Sequence, residues 1–237
     1  MAIPRLFIPT LLNVGQKLPL EATQAHHITT VLRLMPGESV ILFNGQGGEY
    51  LTQVISLKPC ILEVLQHQPN TTELPFTLEW AQGWCQFEKM DWVVQKATEM
   101  GAQKIVLVKT QKSKIKNFDS EKKINHWQKI IAHSAAQCGR AQLPELVVLS
   151  KLETWINTPF TGQSYFASLT TQTFAPTIPQ GTAVRFLIGP EGGLGETEIT
   201  QLTETHITPV SLGSRILRTE TAGIVLATLL LHHQGLC

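Results

Sequence analysis

Hydrophobic and polar positions along the 237-residue chain change rhythm once, near residue 75. Before that point the apolar residues come in short runs with period-two character, the mark of half-buried strands. Arg5-Leu6-Phe7-Ile8, Ser39–Phe43, Glu49–Leu57 and Cys60–Leu65 read as strands. A helix around Ala22–Leu32 carries Ile28, Val31 and Leu32. Asn44-Gly45-Gln46-Gly47-Gly48, between two of the strands, is a strong hairpin signal. Short strands with one helix predict a small barrel. The polar stretch Gln68–Pro75, with two prolines, reads as a linker.

Beyond the linker, strands alternate with helices. Strands are predicted at Thr77–Gly83, Ile105–Val108, Leu146–Leu149, Tyr165–Leu169, Arg185–Ile188 and Ile207–Leu212. Glu88–Met100 is an amphipathic helix with Met90, Val93, Val94, Ala97 and Met100 on one face and Gly101 as its stop. Ser120 is placed to cap a long helix that turns Ile124, Trp127, Ile130, Ile131, Ala135 and Cys138 inward and stops at Gly139. Glu196–Thr203 and Glu220–His232 complete the set. The alternation predicts an α/β domain with a mostly parallel sheet covered on both faces, over 76–237, after a β-rich domain over 1–70. The last helix is so rich in apolar residues (Ala222, Gly223, Ile224, Val225, Leu226, Ala227, Leu229, Leu230, Leu231) that it reads as buried all round, its outer side covered by a second copy of itself or, alternatively, by Glu88–Met100 or the N-terminal barrel of the same chain.

Composition narrows the class. A hydrophobic fraction of 43% fits a folded globular protein. The apolar stretch Ala222–Leu231 is too short to span a bilayer, so no membrane association is expected. Arg5 interrupts the opening segment, which does not read as a signal peptide. Cys60, Cys85, Cys138 and Cys237 are scattered, which suggests neither a metal site nor a disulfide framework and fits the reducing cytoplasm. Net charge is only +1, but it is unevenly spread. Residues 86–140 hold eleven basic and five acidic groups, densest at Lys109, Lys112, Lys114, Lys116, Lys122 and Lys123. Such a stripe is either a footprint for phosphates or a solvated lysine-rich surface.

Two loops are candidates for chemistry, because ligands of parallel α/β sheets bind beyond the carboxyl ends of the strands. Ile188-Gly189-Pro190-Glu191-Gly192-Gly193-Leu194-Gly195 is glycine-rich, so its backbone can approach a ligand closely. It matches neither the P-loop nor the dinucleotide fingerprint, which disfavours a nucleotide-dependent oxidoreductase. Ser211–Ala222 runs from a strand through Gly213, places Arg215 and Arg218 on either side of Ile216 and Leu217, and enters a very apolar helix. Apolar loop residues line either the core or a flat ligand such as adenine.

Together GPEGG (189–193) and LGSRILRTETA (212–222) resemble the signature of the knotted SPOUT methyltransferases, and more narrowly the family of ribosomal RNA small subunit methyltransferase E, which methylates uracil N3 in 16S rRNA. Arg5 in IPRLF, His27 with Val31-Leu32-Arg33, Glu88-Lys89-Met90, QKATEMGA (95–102) and Gln137-Cys138-Gly139-Arg140 match family landmarks in order, so the resemblance covers essentially the whole chain. Two places depart from it: Gln111-Lys112-Ser113, where the family has an acidic-basic pair, and Ser168-Leu169-Thr170-Thr171, where it often has His or Glu beside Pro.

The resemblance implies an N-terminal PUA-like RNA-binding barrel, a C-terminal domain with a deep trefoil knot, a homodimer, S-adenosyl-L-methionine as cofactor and 16S rRNA or the small ribosomal subunit as partner. The cofactor pocket is then expected from Leu169, Ile188, Gly189, Pro190, Glu191, Gly192, Gly193, Leu212, Gly213, Ile216, Leu217 and Thr221. Arg5, Arg33, Lys89, Lys112, Lys114 and Arg140 are the expected RNA contacts. Uracil N3 must lose a proton before or during attack, which leaves an anion spread onto the carbonyl oxygens. Arg218 is the candidate to stabilise that anion, and Glu191 or Glu220 to accept the proton or orient an arginine. N3 lies on the Watson–Crick edge, so the target base must be unpaired or flipped out. The competing reading is an RNA-binding protein of the same fold without catalysis.

Overall fold

The computed structural model describes residues 3–115, 121–169, 171 and 180–236. Lys116, Ser120, Thr170 and Cys237, named above, lie outside the described residues. The chain forms two compact units, one of residues 1–73 with 132–143, the other of 74–131 with 144–237.

The first unit contains β1 (Arg5–Phe7), β2 (Lys17–Pro19), β3 (Ser39–Phe43), β4 (Glu49–Leu57) and β5 (Cys60–Gln68). They form one sheet in the order β1-β3-β4-β5-β2, antiparallel except for β1 beside β3. Helix α1 (Ala22–His26) continues into a wide turn, His27–Val31, in which the Leu32 amide reaches back to the His27 carbonyl. Ile28 from that turn is fully buried among Ile8, Leu12, Val40, Leu42, Val54 and Leu62. β2 was not foreseen; it has three residues and turns only Leu18 inward, too little to show a period. A second small core joins Phe43 to Ala135 and Ala141, with Phe7 and Leu143 packed on it. The unit therefore draws on a stretch more than sixty residues beyond its sheet.

The second unit holds β6 (Leu78–Gly83), β7 (Lys104–Val108), β8 (Glu145–Leu149), β9 (Gln163–Ala167), β10 (Val184–Ile188) and β11 (Thr208–Val210). Their order is β11-β9-β10-β6-β7-β8, and every neighbouring pair is parallel. β6 and β10 are buried along their full length, as expected of central strands covered on both faces. One face packs Ala81, Val106, Phe166 and Leu187 against Leu152, Trp155, Ile156 and Leu202. These come from α4 (Leu152–Ile156), which the sequence pattern did not reveal, and α5 (Glu196–Glu204). α2 (Phe87–Glu99) buries the predicted Met90, Val93, Val94 and Ala97 and packs beside α6 (Thr219–His233). The long helix α3 spans Glu121–Cys138, with Trp127, Ile131 and Ala135 buried.

Helix α6 turns one side to the sheet within the single chain. Its buried residues, Thr219, Ala222, Gly223, Leu226, Ala227, Leu230 and Leu231, form a single stripe at helical spacing. The opposite side is centred on exposed Thr221, Thr228 and His232, with Ile224, Val225 and Leu229 half-buried along its margins. The helix is apolar in composition but not all round, because its polar residues fall seven and four positions apart and so align. Its inner side is held unusually close to the sheet: a Cβ on Gly223 would collide with the Trp80 indole of β6.

Candidate functional site

The carboxyl ends of β11, β9, β10 and β6, which are neighbours in the sheet, surround a cavity of about 610 Å³, within the range of small-molecule sites. Its wall comes from the loops that follow each strand: Ala167, Ser168 and Leu169 after β9; Gly189, Pro190, Glu191, Gly193 and Leu194 after β10; Leu212, Gly213, Arg215, Ile216, Leu217 and Arg218 after β11; and Gln86 and Lys89 after β6. Ile188, Thr219 and Ala222 complete it.

The glycine-rich loop after β10 owes its path to the absence of side chains. A Cβ on Gly83, the last residue of β6, would lie 2.6 Å from Pro190 Cδ, so the loop rests directly on the strand end. The Gly193 amide donates to the Pro190 carbonyl at 2.8 Å, closing a tight turn. Gly193 itself has φ +70°, a conformation that disfavours any residue with a Cβ. Glu198 (3% exposed) fixes the far end: its carboxylate accepts from the amides of Gln111 and Gly195, each at 2.7 Å. Sequence reasoning missed Glu198, whose only signal was its place three residues after a helix-capping glycine.

Glu191 accepts hydrogen bonds from the Gln86 amide at 3.1 Å and from the Lys89 ammonium at 3.0 Å. Burial alone would raise its carboxyl; the Gln86 and Glu191 amides and the Lys89 ammonium outweigh that and hold it below its ordinary value. The Cys85 thiol is 1% exposed and pushed up to about 12, first by burial and then by the charge of Glu191, with Lys89 opposing and Glu220 adding to the rise. It is therefore a protonated, inert group. Glu220, half-buried in the first turn of α6, has one carboxylate oxygen buried without a hydrogen-bond partner. Arg215 and Arg218 are exposed on the cavity's rim, and Leu169 and Ile216 expose 72% and 80% of their surface beside it.

Of the residues expected to hold a cofactor, Leu169, Ile188, Gly189, Pro190, Glu191, Gly193, Leu212, Gly213, Ile216 and Leu217 line this one cavity, together with Arg218. Gly192 does not; it faces Lys112, whose Cβ would be 3.0 Å from a Cβ there. Thr221 lies on the exposed side of α6, between Thr219 and Ala222 of the wall but not part of it. Lys89, expected on RNA, lines the cavity instead. Lys112 and Lys114 are exposed in the loop after β7, and Arg33 is exposed with a left-handed backbone, φ +55°.

Two of the expected RNA contacts have to be reassigned. Arg140 is 2% exposed and paired with Glu73, its Nη2 2.7 Å and its Nε 3.0 Å from the same carboxylate oxygen. Arg5 is paired with Glu49, donates to the carbonyls of Gly139 (3.2 Å) and Arg140 (3.0 Å), and stacks over Phe43. Both guanidinium groups are engaged inside the first unit, Arg5 through its two Nη atoms while its Nε is buried without a partner among the described residues. Among the described residues no cluster of three or more His, Cys, Asp or Glu is placed to hold a metal, and no helix is long and apolar enough to cross a membrane.

Comparison with known proteins adds a family to this geometry. Residues 72–231 match the model of the RNA methyltransferase domain, and residues 20–65 that of the RNA methyltransferase PUA domain. Ribosomal RNA small subunit methyltransferase E of Buchnera aphidicola (subsp. Schizaphis graminum) is 29% identical over 234 residues, 96% of this chain and 95% of its own. The Bacillus subtilis protein of the same name is 29% identical over 215 residues, 84% and 83% of the two chains. Among solved structures, a methyltransferase of Legionella pneumophila with bound S-adenosylmethionine superposes with a TM-score of 0.91 at 30% identity, covering 98% of each chain. Ribosomal RNA small subunit methyltransferase E of Neisseria gonorrhoeae, also bound to S-adenosylmethionine, gives 0.89 at 27% identity with the same coverage. With its parallel sheet, PUA domain and cavity built by the two signature loops, the chain belongs to the RNA methyltransferase family, in the group of ribosomal RNA small subunit methyltransferase E.

Proposed function

We propose that this chain transfers a methyl group from S-adenosylmethionine to N3 of a specific uridine in 16S rRNA of the small ribosomal subunit, in the cytoplasm. The observation that carries this reading is the cavity at the carboxyl ends of β11, β9, β10 and β6, walled by both signature loops in a fold whose relatives hold that cofactor. The residues present suit such a ligand. The Gly189–Gly193 backbone offers amides and carbonyls without obstructing side chains, while Leu212, Ile216 and Leu217 supply apolar surface for an adenine ring. S-adenosylmethionine, when bound, supplies a methyl group on a sulfonium that needs no metal to activate it.

The chain's own groups then have distinct work. Arg218, at the start of α6 and on the rim, stabilises the charge that develops on the uracil oxygens as N3 loses its proton. Glu191, held ionised by Gln86 and Lys89, orients Lys89 toward the cavity more readily than it accepts a proton, since a base works best with a pKa near the working pH. Glu220, in the first turn of α6 but not part of the cavity wall, is proposed to orient an arginine at the rim rather than to take the proton directly. Lys112, Lys114 and Arg33 are the proposed phosphate contacts, and residues 1–70 are proposed to form the RNA-binding barrel before the methyltransferase domain of 76–237.

A deep trefoil knot fits the path of the chain: β11 lies outermost beyond β9, and α6 then returns over Trp80 of β6. A homodimer is proposed through the outer side of α6, where Ile224, Val225 and Leu229 remain half-buried. The test of the function is mass mapping of 16S rRNA from cells lacking this protein, with calorimetric titration of S-adenosylmethionine and, as control, NAD. Loss of one methylated uridine together with cofactor binding is expected. An unchanged modification map overturns the reaction, and binding to RNA without S-adenosylmethionine would favour a non-catalytic RNA-binding protein.

A further inference from the structure

Gln82, one residue from the end of β6, is fully buried in the middle of the parallel sheet. Its amide nitrogen donates to the Thr219 hydroxyl at 2.8 Å and lies 3.3 Å from the Gly189 carbonyl and 3.5 Å from that of Ile188. The neighbours of this atom are acceptors, which fixes the amide's orientation with nitrogen toward them. The Thr219 hydroxyl, having accepted from Gln82, turns its single proton to the Gly189 carbonyl at 2.5 Å. A strand end, the first residue of α6 and the first residue of the glycine-rich loop are thus joined by one directed chain of hydrogen bonds.

The other end of the same amide is anomalous. Gln82 Oε1 is buried without a partner. The unmet oxygen costs stability and so offsets part of what the nitrogen contributes by donating to Thr219 and to the neighbouring carbonyls, among them that of Gly83 at 3.2 Å; fold stability alone is a weak reason for a glutamine here. What only the amide provides is direction: with Thr219 it sets where the Gly189 carbonyl points, and so how the following residues face the cavity. We infer that Gln82 and Thr219 are positioning residues, a clasp that aims the Gly189–Gly193 loop and the start of α6 at the bound cofactor. This rests on the reading that the cavity takes S-adenosylmethionine.

Three variants and two readouts test it. Gln82→Met is expected to stay folded, with at most a modest drop in melting temperature, yet bind S-adenosylmethionine about tenfold more weakly, the equivalent of one directed hydrogen bond. Thr219→Val should weaken binding similarly, and Thr219→Ser, which keeps the hydroxyl, should bind like the parent. In ligand-free protein, hydrogen exchange at the amides of Glu191–Leu194 should quicken in Gln82→Met and Thr219→Val and stay unchanged in Thr219→Ser. A Gln82→Met chain with parental affinity and parental exchange overturns the clasp. A Thr219→Ser chain as weak as Thr219→Val overturns it too. Failure of the parent chain itself to bind S-adenosylmethionine would overturn the cofactor reading, while the exchange rates would still decide whether the clasp sets the loop.

Discussion

The behaviour of single residues at the cavity follows from their partners more than from their types. Glu191 is the clearest case, because its carboxylate is held below its ordinary value of 4.5 against the pull of burial. A depressed folded-state value means that the stabilisation is fully present above the unfolded-state value and fades as pH falls through the folded one. The difference in melting temperature between the parent chain and Glu191→Gln is therefore expected to be constant from neutral pH down to about 5 and to shrink only below the ordinary carboxylate range. Melting curves across that range check this; a difference that already collapses near pH 6 would mean that the carboxylate is not held ionised. The basic stripe and the family resemblance suggested Arg5 and Arg140 as RNA contacts. Their partners, Glu49 and Glu73, lie 44 and 67 positions away, a distance over which charge patterning along the chain carries no information.

At the scale of elements, packing reverses a common propensity. Alanine is ordinarily better than glycine inside a helix by roughly 1 kcal/mol. In α6 the sign is expected to invert, because the new Cβ of Gly223→Ala meets the Trp80 indole and forces strand and helix apart. Overpacking of this kind costs about 2 kcal/mol, and Trp80→Phe in the same chain should return part of it; denaturant midpoints measure both. The elements legible in the sequence were those long enough to show a period. β3, β4, α2 and the centres of β6, β7, β8 and β10 appear where the apolar spacing puts them. β2 and α4, of three and five residues, are too short for any period, and the Tyr165–Leu169 strand ends two residues early because Ser168 and Leu169 turn into the cavity wall. The glycine-rich loop was legible because close backbone approach restricts its composition. The Gln82–Thr219 pairing was not, since a lone glutamine inside a strand looks like any polar residue until its neighbours across the sheet are known.

Across the whole molecule, the basic stripe proves to be two populations. Lys89, Lys96 and Lys104 are in ion pairs with Glu191, Glu99 and Glu145, Arg140 is buried with Glu73, and Lys109 and Lys123 lie over the rings of Trp84 and Phe87. Lys112 and Lys114 stand exposed. Removing both is expected to lower the slope of log affinity for RNA against log salt by roughly two units, one per phosphate contact. Arg140→Ala should leave that slope alone and instead cost about 3 kcal/mol of stability, since it strands the Glu73 carboxylate. Filter binding at several salt concentrations separates the two; an altered slope in Arg140→Ala would return that residue to the RNA surface. The core that joins Phe7 and Phe43 to Ala135, Ala141 and Leu143 has a further consequence, one of timing. During synthesis the N-terminal sheet emerges first, but it remains without the Arg140 partner of Glu73 and without the carbonyls that engage Arg5 until residue 140 has left the ribosome. By then β6, β7 and α2 are already exposed, so the nascent chain cannot finish its first unit before beginning its second.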